Sequence, residues 1–258
     1  TLVVLPLVPD RHIGPYDAIN PRNAWTIVIL MLAIGAAGHV AMRTLGPRFG
    51  LAAAGLASGF VSSTATIGSM GERVRSDPAL LVPAAAGAVL STVATILQMV
   101  VVLAAASIDT LRALALPLFC AGATAVAYGV MATLRAANHD APENSDHGRA
   151  FSPVTALLFA LAISGVTLLS AALVDWLGTA GLIAAAAFTG FADTHATAAS
   201  AGSLVSSGTI TTAQAALPIL IGLSTNTISK VGVAVASGGR RFAMRVVPGL
   251  LLTVAAAW

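Results

Sequence analysis

The sequence predicts an all-α polytopic membrane protein made of two four-segment repeats, and three observations carry that reading: composition, the length of the apolar runs, and an internal duplication. Of 258 residues, 57% are hydrophobic and 9% charged, against roughly 25% charged in an average soluble domain. Mean hydropathy is +0.90. A water-soluble surface cannot be assembled from so few charges. The apolar runs approach the roughly 20 residues needed to cross a hydrocarbon core about 30 Å thick. They lack the apolar/polar alternation over about ten residues that a closed barrel requires. The 13 basic residues give a pI near 9.8 but stand singly or in pairs at the ends of these runs. They read as topology signals beside a lipid bilayer rather than as a nucleic-acid surface.

Taken in order, the chain opens on an apolar stretch at 1–8, too short to span. The Pro, Gly, Asn and Asp residues that follow stop a helix, so 1–23 reads as the end of a truncated helix plus a loop, part of a longer protein. Eight apolar segments come next, at 24–42, 49–70, 79–107, 111–134, 154–173, 180–205, 213–237 and 242–258. The longest polar stretch, 135–152, divides them into repeat 1 at 24–134 and repeat 2 at 153–258. Gly35 and Gly38 in the first segment and Gly55 and Gly59 in the second suit close helix packing. The single cysteine, Cys120, lies inside the fourth segment, so no intrachain disulfide can form and a packing role is expected.

The duplication is visible without gaps. Laying Leu51 on Leu182 through Glu72 on Ser203 gives nine identities in 22 positions, among them Gly59/Gly190, Phe60/Phe191, Thr66/Thr197 and Gly71/Gly202. Chance in so Ala-rich a chain would give roughly two or three. The next segments align as well, with Pro83 on Pro218, Gly87 on Gly222 and Ser91-Thr92 on Asn226-Thr227.

Arginine placement bears on how the repeats lie. Eight full crossings would put six arginines on each side and orient nothing. If the second and sixth segments enter and return on one side, Arg43, Arg48, Arg73, Arg75, Arg135, Arg149, Arg240, Arg241 and Arg245 stand against Arg11, Arg22 and Arg112. Nine against three is the asymmetry that the positive-inside rule expects. It leaves three crossings between equivalent points, so the repeats would be inverted, with the second and sixth segments broken or re-entrant.

Those two segments also carry the candidate site. Each reads apolar, then Gly-Phe, then polar: Gly59-Phe60-Val61-Ser62-Ser63-Thr64-Ala65-Thr66 and Gly190-Phe191-Ala192-Asp193-Thr194-His195-Ala196-Thr197. Glycine relaxes a helix, and Ser, Thr and Asp are good N-caps for a second half-helix. Irregular backbone at membrane depth is tolerated where it lines a cavity or is buried in protein. The expected site therefore gathers Ser62, Ser63, Thr64, Asp193, Thr194 and His195 near the midplane. Ser and Thr can equally serve helix packing by bonding backbone carbonyls, but a carboxylate at the bilayer centre costs about 2.5–3.5 kcal/mol and is too short to reach the interface. Asp193 and His195 are the candidate metal ligands or proton carriers. In the seventh segment Asn226 and Lys230 share a face one turn apart, as do Ser91, Thr95 and Gln98 in its counterpart. Lys230 either pairs with Asp193 or snorkels to the interface beyond Ser237. No enzyme constellation is evident and no cofactor is expected beyond a bound metal ion of unknown identity.

At Leu45-Gly46-Pro47-Arg48, the two Gly-Phe motifs, and Ser224-Thr225-Asn226-Thr227 with Lys230, the sequence resembles the uncharacterised membrane domain that follows MgtC/SapB-type domains in bacterial membrane proteins. The resemblance covers nearly the whole chain. It implies a multi-pass protein of the bacterial inner membrane, an MgtC-like domain preceding Thr1, and a connection with magnesium. Transport of a small ion or solute follows as the leading expectation, a metal cation first. The alternatives are a small anion held by half-helix N-termini and Lys230, and a non-transporting regulator or assembly module, which includes a homo-oligomer built through small-residue faces.

Overall fold

The computed structural model describes residues 8–11, 19–45, 50–136 and 153–258. The apolar stretch at 1–8 apart from its last residue, most of the loop at 135–152, the Gly46–Arg48 part of the first motif and the surroundings of Gly35 and Gly38 lie outside the described residues.

Among the described residues the chain is helical with no strands. The helices are α1 (Pro21–Leu45), α2 (Gly50–Ser76), α3 (Leu81–Ala106), α4 (Ile108–Ala113), α5 (Ala115–Ala136), α6 (Pro153–Leu177), α7 (Thr179–Ala192), α8 (Thr194–Ser206) and α9 (Thr212–Ala257). A 3-10 turn, Pro78–Leu80, leads into α3 and is capped by the Asp77 side chain, which accepts from Ala79 N–H. Four stretches are long and apolar enough to cross a membrane: α2, Pro78–Ala106, α5 and α9. Shorter apolar helices run over Pro21–Ile34, Ser164–Leu177 and Ala180–Ala192. Length and composition together describe a multi-pass helical membrane protein.

Two element boundaries differ from the sequence reading. The fourth segment begins as the short α4, because Ser107 takes an extended backbone and its hydroxyl caps Thr110 N–H at 3.3 Å. The seventh and eighth segments form one 46-residue element, interrupted only at Gly239 (φ 71, ψ −176). That backbone is open essentially to glycine alone, so one residue replaces the loop expected between two spans. Straight, α9 would be about 69 Å long, over twice the hydrocarbon thickness. The Gly239 break lets residues on both sides of it, Ala234 with Phe242, Val246 and Leu250, join one core.

The chain forms two compact units, neither of which is one contiguous half. The first comprises Thr1–Ala33, Met99–Leu116 and Phe151–Asn226, and the second Ile34–Gln98, Pro117–Ala150 and Thr227–Trp258. α3 and α9 each begin in one unit and end in the other. In the second unit, Leu51, Ile67, Met70 and Val74 of α2 pack with Val89 of α3 and with Phe242, Val246 and Leu250 of α9. Lipid offers apolar side chains no less favourable a medium than a protein core, so close packing must hold such helices together. The glycines allow it. A Cβ at Gly55 would lie 2.2 Å from the Gly87 carbonyl oxygen, and in the first unit one at Gly190 would lie 2.4 Å from that of Gly222.

The outward surface is apolar. On α5, Leu116, Phe119, Val126, Val130 and Leu134 are all exposed at helical spacing, Phe119 at 72%. In water such a stripe would aggregate; a bilayer accommodates it.

Candidate functional site

Both motif segments break, and they break at residues that the repeat alignment pairs. Ser62 interrupts α2 with φ −164 and ψ 110, and Asp193 separates α7 from α8 with φ −157 and ψ 118. Extended backbone is open to any residue, so side-chain chemistry must hold it against a helix that could run on. Ser62 Oγ accepts from Ala65 N–H at 3.2 Å. The Asp193 carboxylate accepts from His195 N–H at 3.0 Å and from Ala196 N–H at 3.3 Å. Each residue thereby caps the half-helix that follows.

A hydroxyl pair fastens each break. Thr66 Oγ1 donates to Ser62 O at 2.9 Å and lies 3.0 Å from Ser58 Oγ. Thr197 Oγ1 donates to Asp193 O at 3.3 Å and lies 2.8 Å from Thr189 Oγ1. The alignment pairs Ser58 with Thr189 and Thr66 with Thr197, so the two copies use the same device position for position. Ending a half-helix also leaves carbonyls without helical donors, and in the second unit Gln98 Nε2 donates to Phe60 O at 2.9 Å. The fastening escaped the sequence reading, although a hydroxyl four residues before and four after each capping residue was its signal.

In the first unit, Asp193 and His195 form a hydrogen-bonded pair. His195 Nδ1 lies 2.7 Å from Asp193 Oδ1. Where the carboxylate is ionised it only accepts, and the proton in that bond is then the one on Nδ1. The side chains are 27% and 15% exposed. Both side chains are partly enclosed. Thr194, between them in sequence, is buried, with its hydroxyl 3.8 Å from Met99 Sδ. No group of three or more His, Cys, Asp or Glu side chains is placed to hold a metal ion among the described residues. A metal on Asp193 and His195 would draw its remaining ligands from hydroxyls, carbonyls or water.

In the second unit, Ser63, Thr95 and Lys230 form a hydrogen-bonded chain. Lys230 is 2% exposed, and its Nζ donates to Thr95 Oγ1 at 2.9 Å. Thr95 Oγ1 in turn donates to Ser63 Oγ at 2.9 Å. This overturns the snorkelling alternative, since a neighbouring hydroxyl holds the ammonium inside the unit. Ser62 is exposed and Thr64 half-buried, while Ser63 is buried against α3. Asn226 is buried at the end of the first unit's share of α9. Cys120 is a half-buried free thiol.

No curated protein and no solved structure matches the chain. One family model does, described as "Domain of unknown function (DUF4010)", over residues 29–238.

Proposed function

The chain belongs to the DUF4010 family, whose description carries no activity, and from its own residues we propose that it is a secondary transporter or channel moving a small ion across the membrane, with Asp193 and His195 handling a cation. One observation carries this reading. The alignment pairs Ser62 with Asp193 and Thr64 with His195, and the first copy makes the same break, the same cap and the same fastening with neutral residues. The fold needs only a hydroxyl at this position. Repeat 2 carries a carboxylate and an imidazole instead, at a cost that burial in a membrane makes considerable. Charge in excess of what the backbone requires marks function.

The inverted-repeat arrangement belongs to the same proposal. Extending the alignment of Pro83 with Pro218 and Gly87 with Gly222 pairs Thr95 with Lys230, and these two side chains touch at 2.9 Å. Equivalent residues of two copies meet where a two-fold axis passes between them. Broken helices are a common basis for alternating access in inverted-repeat transporters. The resemblance to the domain that follows MgtC/SapB domains favours a metal cation connected with magnesium, and a place in the bacterial inner membrane. With only two ligating side chains, the pair suits a proton or a mostly hydrated cation.

Reconstitution tests this. Liposomes carrying the full chain should move at least one of protons, magnesium and sodium, and Asp193→Asn should abolish that flux. Absence of flux for every ion offered would favour the assembly-module reading instead.

A further inference from the structure

Arginines gather in the second unit where α2 ends and α9 breaks. Arg240, Arg241 and Arg245 follow the Gly239 break and are all exposed. None of the three has a carboxylate partner among the described residues. Arg241 and Arg245 are four apart on one helix, so they are neighbours on its surface, and like charges at that spacing repel. An anion lying against both would relieve that repulsion. The end of α2 abuts the same place, since a Cβ at Gly71 would lie 2.7 Å from Gly238 N. One turn further on, the exposed Arg75 donates to Ala236 O, which puts a fourth guanidinium beside the break.

The surface that continues from these arginines says which anion. Met244 is exposed beside them, and the exposed face runs on through Pro248 to Leu251 and Leu252, at the three- and four-residue spacing of one helix side. Phe242, Val246 and Leu250, on the other side of the helix, are in the core of the second unit. The outward face is therefore cationic at one end and apolar beyond it. Residues 240–257 as a straight helix are about 27 Å long, close to the roughly 30 Å of a hydrocarbon core. Trp258 is exposed at the far end, and tryptophan favours the membrane–water interface. The arginines thus stand at headgroup depth, with Leu251 and Leu252 among acyl chains. A phospholipid covers both parts of this face with one molecule, which a soluble anion cannot do.

We propose that Arg240, Arg241 and Arg245, with Arg75 beside them, form a docking surface for the headgroup of an anionic phospholipid, whose acyl chains run along Met244, Leu251 and Leu252. The guanidinium fork matches a phosphate with two parallel hydrogen bonds. This surface uses no residue of the two motif breaks, so it stands apart from the transport reading, and lipid binds it whether or not an ion is moved.

The test titrates lipid into the full chain in neutral detergent micelles and follows the melting temperature. Phosphatidylglycerol should raise it, saturably, above the value in phosphatidylcholine of the same acyl chains, while inorganic phosphate and a polyglutamate peptide should not. A triple variant, Arg240→Gln with Arg241→Gln and Arg245→Gln, should bind phosphatidylglycerol more weakly by about fivefold for each arginine removed. In phosphatidylcholine it should melt no lower than the wild type, because exposed side chains that repel one another have gone. The corresponding lysine variant should retain most of the affinity. Arg112→Gln, which removes an exposed arginine from α4, should bind as the wild type does. Should the triple variant fail to fold, the single substitutions give the same answer at about fivefold each. Equal stabilisation by the two lipids, undiminished binding by the arginine variants, or an equal loss in Arg112→Gln would overturn the proposal. So would a response to inorganic phosphate that matches phosphatidylglycerol, which would make this a site for a soluble anion, or preferential binding of polyglutamate, which would make it a protein-docking face.

Discussion

At the scale of single residues, Asp193 combines two jobs that substitution can separate. Asn and Ser both cap helices well, so Asp193→Asn and Asp193→Ser should keep the α7–α8 break. The melting temperature should stay close to that of the wild type while ion flux is lost. Asp193→Ala should lose flux and also cost about 1 kcal/mol of stability through the lost cap. Asp175→Ala is the control, since Asp175 is exposed at the end of α6, and its flux should be unchanged. If Asp193→Ser carries ions as the wild type does, the carboxylate is only a cap. That Asp193 would cap a second half-helix was legible in the sequence, because Asp is a good N-cap and here follows a Gly-Phe pair. The fate of Lys230 was not. A long side chain seven residues from Ser237 can reach either water or a neighbour, and only the position of Thr95 decides it.

At the scale of the helix, the breaks and the close contacts make separate predictions. Thr66→Val and Thr197→Val each remove one fastening, and each should lower stability by about 1 kcal/mol, to a similar degree because the copies are built alike. A thermal melt of each variant measures this. Gly59→Ala would drive a methyl to 2.7 Å from Ser91 Cα, and Gly190→Ala would place one 2.4 Å from Gly222 O. Both meet backbone that cannot swing aside, so each should cost about 1–3 kcal/mol. Gly165→Ala, with nothing within 4 Å, should be neutral. Gly-Phe followed by capping residues announced where α2 would break and α7 would end, since a relaxed backbone and a ready cap stand side by side there. The Gly239 joint was not legible in the same way. A Gly-Gly-Arg-Arg run reads as a loop, and nothing local reveals that the helix resumes after one residue. The exchange of α3 and α9 between units was equally hidden, because it depends on contacts far apart in sequence.

At the scale of the whole molecule, the account requires a membrane topology as well as a chemistry. If α2 enters and returns on one side, single cysteines at Arg48→Cys and Ser76→Cys in a Cys120→Ala background should react with an impermeant reagent from the same side of the membrane, and Asp109→Cys from the other. Labelling of positions 48 and 76 from opposite sides would mean a full crossing and would remove the inverted arrangement. The central claim, that excess charge at one of two equivalent breaks serves ion movement, is reached most directly by flux through Asp193→Ser in liposomes, where the second break is given the capping residue of the first. The account predicts a folded, stable protein that no longer moves the ion carried by the wild type, with or without an imposed pH gradient. Undiminished flux through that variant would contradict it.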